Sequence, residues 1–405
     1  MSALRCERRA LYQFAVELLE PDGPQLLDPD VIDSPLARQR IGEALAGRAR
    51  LARSELISIN TLSCVGSGPQ DMMVVSQPEA NALLAEALGI VGAELCRQQA
   101  AFGPPSLLTE ADGERFTAAL AVLRDGVSLA RSVSPELIED LLAHVALVGI
   151  IDPQHAGRLA SASPRTFPGL VFLNDPQSAI EAAEALVHEG AHQKFFDLAI
   201  THDLLNADSD RCSPFHPPWA PKERLWPLEQ TLAAWHAYTC LARFAHDACV
   251  TAGAQVLAAD SLLPVASERS KVLGRWLLDK DDHLGADAHT LLDGLIGRPP
   301  RTARVAASCS GHVSTDYIID TALKFRRCGS PDRVLVGQPS QPPQLYWVSD
   351  DGAALLELLG HRPLDEVIHT FAQRWRVEQP DATGRLTAML SDLYESGLVR
   401  TKGDS

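Results

Sequence analysis

Apolar positions recur along most of this chain at spacings of three and four residues, so helices dominate the expected fold. Leu4 to Leu19 carries that spacing. Ser34-Pro35 reads as an N-cap followed by a first-turn proline, opening a helix toward the Leu51–Ile59 region. Pro78 to Phe102, Thr109 to Arg131 and Ser134-Pro135 to Ile150 repeat the pattern, with Ala and Leu prevailing over strand formers. Pro168 to Asn174 departs from it. This short apolar run, closed by Asp175-Pro176, is expected to be a buried strand. Helical spacing returns from Gln177 to Ile200. Thr201 to Trp226 is rich in Pro, Asp and Ser, and Phe215-His-Pro-Pro-Trp-Ala-Pro221 cannot be regular helix. A loop of that length in a helical domain is more often functional than incidental. A second strong helix is expected from Pro227 to about Ala252, and no internal repeat has a fixed period.

Past residue 330 the pattern changes. Pro331 to Pro343 is linker-like, with the short apolar runs Arg333–Val336 and Gln344–Val348 in or beside it. Asp350–Leu359, Leu364–Arg374 and Asp381–Ser396 follow as short helices, the last closed by Gly397. Two strands and three short helices describe a small winged-helix domain. The expected fold is therefore mainly α. A large helical domain, 1–330, holds a short strand beside the 177–200 helix, and a small α+β winged-helix-like domain spans 331–405.

Charge narrows the partners. The 405 residues carry a formal net charge of −16, which argues against nucleic acid and anionic membrane. Winged helices often read DNA, but Asp350 to Arg400 holds nine acidic residues against five Arg and Lys. A peptide-binding or structural role suits that balance better. None of the eight cysteines forms a C-x-x-C pair, so neither a zinc ribbon nor a disulfide framework is expected. The N-terminus runs into charged helical sequence without a secretory core, and no apolar stretch is long enough to span a bilayer. A soluble, reduced, cytoplasmic protein is expected.

The candidate chemistry lies at His188-Glu189-Gly190-Ala191-His192. Residues four apart share a helix face, so the two imidazoles can grip one metal ion from one side. Glu189 is placed to reach a metal-bound water or the groups behind the ligands. Zinc hydrolases add a third protein ligand and leave a position for water; non-haem Fe(II) oxygenases use three protein ligands and leave three positions. The long metzincin continuation is absent. On the second helix Glu229, His236 and Arg243 recur every seven residues, close to one face. His236 is the favoured third ligand and Glu229 the alternative. His202, His216 and His246 are spare donors. The remaining histidines show no ligand spacing.

The segments Leu186-Val-His-Glu-Gly-Ala-His-Gln-Lys194, Pro218-Trp219 and Trp235-His-Ala-Tyr-Thr-Cys-Leu-Ala-Arg-Phe244 resemble the HExxH-motif proteins found with peptide natural-product clusters. That family looks like α-ketoglutarate-dependent peptide β-hydroxylases. The resemblance implies Fe(II) on His188 and His192, and it matches His236 to the family's later histidine. Arg243 is a geometric choice for the α-ketoglutarate carboxylate, with Lys194 as second choice; His216 and Trp219 are the candidate substrate contacts. Asp351 to Ile368 and Leu393 to Val399 resemble the peptide-binding domain of natural-product maturases, the type related to the PQQ peptide chaperone. Such domains hold a leader peptide as an added strand. The expected function is Fe(II)/α-ketoglutarate-dependent hydroxylation of a Cβ in a ribosomally made precursor peptide. The alternatives are a zinc peptidase, with Glu189 as general base, and a non-enzymatic peptide carrier.

Overall fold

The computed structural model describes residues 3–21, 26–52, 54, 56, 73–98, 105–152, 160–251, 257, 261–296, 317–319, 322–328 and 332–401. Within them lie fourteen α-helices. Helices α1 (Ala3–Leu19), α2 (Pro29–Asp33), α3 (Pro35–Leu45), α4 (Ala80–Leu83) and α5 (Ala85–Gln98) come first, then α6 (Glu114–Val133) and α7 (Pro135–Leu142). Next are α8 (Ala179–Thr201), which carries the HExxH, α9 (Leu228–Thr251), α10 (Leu263–Leu278) and α11 (Ala286–Ile296). The chain closes with α12 (Asp350–Leu359), α13 (Leu364–Trp375) and α14 (Gln379–Glu395). No helix among the described residues is long and apolar enough to cross a membrane. The expected continuations through Ile57–Ile59 and Gln99–Phe102 lie outside the described residues.

The chain divides into two compact units. The first comprises Met1–Arg8, Leu27–Gly42 and Ala52–Arg301. Its sheet is larger than the single strand expected. Strands β1 (Met73–Val74), β2 (Leu147–Ile151), β3 (Ser161–Ala162) and β4 (Leu170–Asn174) are ordered β1-β2-β4-β3. β1, β2 and β4 run parallel, and β3 is antiparallel to β4. β2 had read as the tail of a helix from Ser134. Its Leu-Val-Gly-Ile-Ile is buried at every position, because Leu147 and Ile151 pack on one face while Val148 and Ile150 pack on the other. A strand covered on both faces has no polar alternation to reveal it.

α8 follows β4 through a capped turn. Ser178 Oγ accepts from Glu181 N, and the Glu181 carboxylate accepts from Gln177 N at 3.0 Å, so one first-turn amide and one amide just ahead of the cap are satisfied. The helix is buried on several sides at once. Small residues permit this: a Cβ on Gly126 of α6 would stand 2.5 Å from Ala182 Cβ, so only glycine lets the two helices cross there. The buried amide of Gln193 ties α8 to the sheet. It accepts from Gly169 N at 2.6 Å and donates to Leu170 O at 2.7 Å. Gly169 itself has φ +95°, the left-handed region that glycine tolerates best.

The far end of α8 is anchored by charge. Buried Asp197 meets Arg8, and His144 Nδ1 lies 2.5 Å from it. Arg8 also donates to Asp33 at 2.8 Å, and Arg38 donates to the same oxygen at 2.9 Å. Burial alone would raise the Asp197 pKa, but the charge of Arg8 and the hydrogen bond from His144 hold it below the usual carboxylate range. His144, one of the histidines without ligand spacing, is thus a structural partner.

The second unit comprises Arg9–Leu26, Glu43–Leu51 and Thr302–Ser405. β6 (Lys324–Arg327), β7 (Arg333–Gln338) and β8 (Gln344–Ser349) form an antiparallel sheet ordered β6-β7-β8, and β5 (Tyr317–Ile319) pairs with β9 (Val399–Thr401). The boundary expected at 330/331 falls between two strands that pair. Pro339, Pro342 and Pro343 of the linker-like stretch instead lie in the turn between β7 and β8. α12, α13 and α14 pack on this sheet through Leu355, Val367, Phe371, Leu386 and Leu390, giving the small α+β domain expected.

Candidate metal site and peptide-recognition domain

His188 and His192 stand one helical turn apart with ring centroids 4.8 Å apart and planes at 83°. His188 Nδ1 is buried and meets no hydrogen-bond partner. Burial, with the positive charge of Arg269 behind it, lowers the His188 pKa to about 4. Burial and the neighbouring His188 lower His192 to about 4, with Glu189 opposing. Both rings are therefore neutral at ordinary pH and keep a lone pair for a metal. A buried imidazole nitrogen without a partner is costly unless something takes it. The pair fits a divalent metal held on two nitrogens.

Those shifts have a consequence for the metal-free protein. Unfolded imidazoles take up protons near pH 6.5, whereas the folded pair resists down to about 4. The unfolded state binds more protons in between, so stability falls as pH drops from about 6.5 to about 4. Urea midpoints measured across that window check this. A midpoint independent of pH would contradict it.

Glu189 is buried and its carboxylate is engaged at both oxygens. Ser161 Oγ donates to one at 2.6 Å, and Ser163 Oγ donates to the other. Ser161 belongs to β3 and Ser163 follows it, so the carboxylate braces α8 against the sheet edge.

The other candidates are dispersed. His236 is buried on α9, its Nδ1 3.1 Å from Ala191 O and its Nε2 3.9 Å from Cys240 Sγ. As the side chains stand, the structure does not bring it into a ligand set with His188 and His192. Among the described residues no group of three His, Cys, Asp or Glu is placed to hold a metal. Glu229, the alternative, is held by Arg165 through two hydrogen bonds of 2.5 and 2.7 Å. Arg243 is exposed and pairs with Glu136 at 3.5 Å; Lys194 pairs with Asp140 at 2.5 Å. The heptad spacing on α9 puts the three residues near one stripe, but each of them faces a different neighbour. His216 and His246 are exposed, and His202 meets Thr201 and Glu7.

Trp219 is brought in. Its ring lies 6.1 Å from that of Tyr238, whose own ring lies 6.1 Å from His188. The guanidinium of Arg269, on α10, sits 4.9 Å from the Trp219 centroid and 5.3 Å from that of Tyr238. Phe215 and Trp226 pack against Trp219, so the proline-rich loop after α8 folds into an aromatic wall beside the histidines. Sequence reasoning passed over Arg269 altogether. It lies in Ser267-Glu-Arg-Ser-Lys271, a stretch that reads as any polar helix face.

The comparisons with known proteins bear on the C-terminal unit. Residues 334–399 match the model of a family described as coenzyme PQQ synthesis protein D (PqqD). The match runs from the start of β7 to β9 and covers the three helices between them. The chain therefore carries a PqqD-like domain at its C-terminal end. No curated protein matches the chain.

Proposed function

We propose that this protein is a peptide-modifying metalloenzyme. It receives a ribosomally made precursor peptide on its PqqD-like domain and hydroxylates a side-chain Cβ with Fe(II), α-ketoglutarate and O2. The PqqD match supports the peptide partner. So does the sheet order, which among the described residues leaves β8 at an edge with Leu345, Tyr346 and Val348 half-buried along it. An edge strand offers main-chain donors and acceptors to an extended leader peptide.

The observation that carries the choice of chemistry is Glu189. A zinc peptidase needs that carboxylate as general base on metal-bound water. Here Ser161 and Ser163 occupy both of its oxygens. Oxygenase chemistry asks no base of it. His188 and His192 would supply two of the three protein ligands that such an iron takes. Once bound, the iron and its cosubstrate supply the oxidant that replaces a C–H bond by C–OH, with succinate and CO2 as the other products. The protein's own part is to keep the two imidazoles neutral, to present the peptide, and to exclude water with the wall of Trp219 and Tyr238.

The test pairs product with variant. A precursor peptide that binds the PqqD-like domain is expected to gain one oxygen atom, drawn from labelled O2, only when α-ketoglutarate is present. Glu189→Gln keeps a serine contact at each position, and its turnover is expected to stay within about tenfold of wild type. A general base would instead lose on the order of 10²–10⁴. Cleavage of the peptide, abolished by Glu189→Gln, would overturn the proposal.

A further inference from the structure

Among the described residues, the four-stranded sheet of the first unit ends at β3. β3 pairs with β4 on one side, and its register gives the other side a definite chemistry. Asn174 N donates to Ala160 O at 2.9 Å. Ser161 then stands opposite Leu173, and Ala162 opposite Phe172. Hydrogen-bonded and non-hydrogen-bonded pairs alternate along an antiparallel ladder. Ala160 and Ala162 therefore turn their main-chain groups to β4, while the N–H and C=O of Ser161 point away from it, along the free edge. An edge of this kind accepts a further strand.

The side chains set this edge beside the HExxH helix. Leu173, opposite Ser161, packs in one cluster with Leu186 of α8, whereas Phe172 and Ala162 belong to the cluster on the other face. Ser161 thus faces α8, and its hydroxyl donates to Glu189, the residue next to His188. The segment is also held in place. Ser163 Oγ donates to the second oxygen of Glu189, and Arg165 grips Glu229 at the start of α9 through two hydrogen bonds. Pro164, which has no N–H to offer a partner, closes the edge. Ser161, Ala162 and Ser163 are each half-exposed. An edge fixed in advance spares a docking chain the cost of ordering it.

We infer that β3 is the docking edge for the part of the precursor peptide that is modified. An extended segment pairs its main chain with the N–H and C=O of Ser161 and becomes a fifth strand of the sheet. A residue directly opposite Ser161 carries its side chain on the same face as Ser161. It is therefore directed to α8, the helix of His188 and His192, while its two neighbours are directed away. Main-chain pairing leaves the site tolerant of flanking side chains but strict about register. The inference rests on the peptide-modifying reading above and holds for hydroxylation and cleavage alike.

The experiment uses the full-length, metal-loaded protein and a synthetic precursor peptide that binds the PqqD-like domain and is modified by wild type. Single N-methyl groups are placed in turn on the main-chain amides around the modified residue. Each removes one donor and leaves every side chain in place. The ratio kcat/KM is expected to fall at alternate amides by about 2- to 10-fold, the range of one main-chain hydrogen bond, and to hold at the amides between. On the protein side, Ser161→Ala loses the hydroxyl and keeps the N–H, whereas Ser161→Pro loses both. Proline is expected to lower kcat/KM by about 2- to 10-fold beyond alanine. The two variants should share a urea midpoint, since β4 does not use that N–H. A scan without alternation overturns the inference. So does a folded Ser161→Pro protein as active as Ser161→Ala. Should the proline variant fail to fold, the scan, run on unaltered protein, decides alone. If wild type modifies no peptide, the peptide-modifying reading has failed and takes this inference with it. That result is distinct from a wild type that acts on the peptide and gives a flat scan.

Discussion

His188→Ala and His192→Ala proteins are expected to bind no stoichiometric metal and to lose at least about a thousandfold in activity. With only two imidazoles gathered on α8, removal of either leaves a single nitrogen, which does not retain a divalent ion against water. The metal-free proteins should tell a different story. His188 Nδ1 is buried without a hydrogen-bond partner, so the native fold carries a cost that alanine removes. Deleting the ring also loses its packing against Tyr238 and His192. The two effects oppose, and the apo His188→Ala protein is expected to unfold within about 1 kcal/mol of apo wild type. Metal analysis after dialysis, together with urea unfolding of the apo proteins, checks both halves. A variant that keeps its metal, or one whose apo form collapses, contradicts this description of the site.

The second large effect belongs to stability rather than chemistry. Arg8→Ala leaves Asp197 buried with His144 alone and withdraws one of the arginines that meet Asp33. Breaking a buried ion pair from one side costs about 3–5 kcal/mol, a large share of the stability of an ordinary domain. The loss should depend on pH in a definite direction. Asp197 is held below the usual carboxylate range in the folded protein. It therefore stabilises the fold above the unfolded carboxylate's pKa, and that contribution is lost as pH falls through the lower, folded value. Without Arg8 the folded pKa rises, and the acid unfolding transition is expected to move to higher pH. Urea unfolding near neutral pH and an acid titration of both proteins measure the two effects. A loss below about 1 kcal/mol with an unmoved acid transition would show that the network does not hold α8 in place.

Much of this arrangement could be read from the chain. The HExxH helix, its strand-and-turn entry and α9 were legible because apolar spacing and the Asp175-Pro176 break agree. The C-terminal helices and two of its strands were legible for the same reason. β2 was not, since Leu147–Ile151 is covered on both faces and its unbroken apolar run has no period of two. β6 was missed for the opposite reason: Lys-Phe-Arg-Arg is mostly charged, and only its pairing with β7 makes it a strand. In the site, the local pair His188 and His192 was visible because one helix sets their spacing. Residues from other elements were harder to place. His236, Glu229 and Arg243 shared a stripe on paper, yet Ala191 O, Arg165 and Glu136 receive them. Trp219 was marked by its loop. Arg269 carries no motif, and its place follows from how α10 packs against α9, which no local pattern encodes.

The central question is whether the His188–His192 pair belongs to an iron and α-ketoglutarate site. Anaerobic reconstitution of the full-length protein with Fe(II), followed by addition of α-ketoglutarate, tests this most directly. A weak visible metal-to-ligand charge-transfer band is expected that appears only with both components and is absent in His188→Ala. No band in wild type, with one tightly held zinc ion in the protein as purified, would contradict it and turn attention to peptide cleavage.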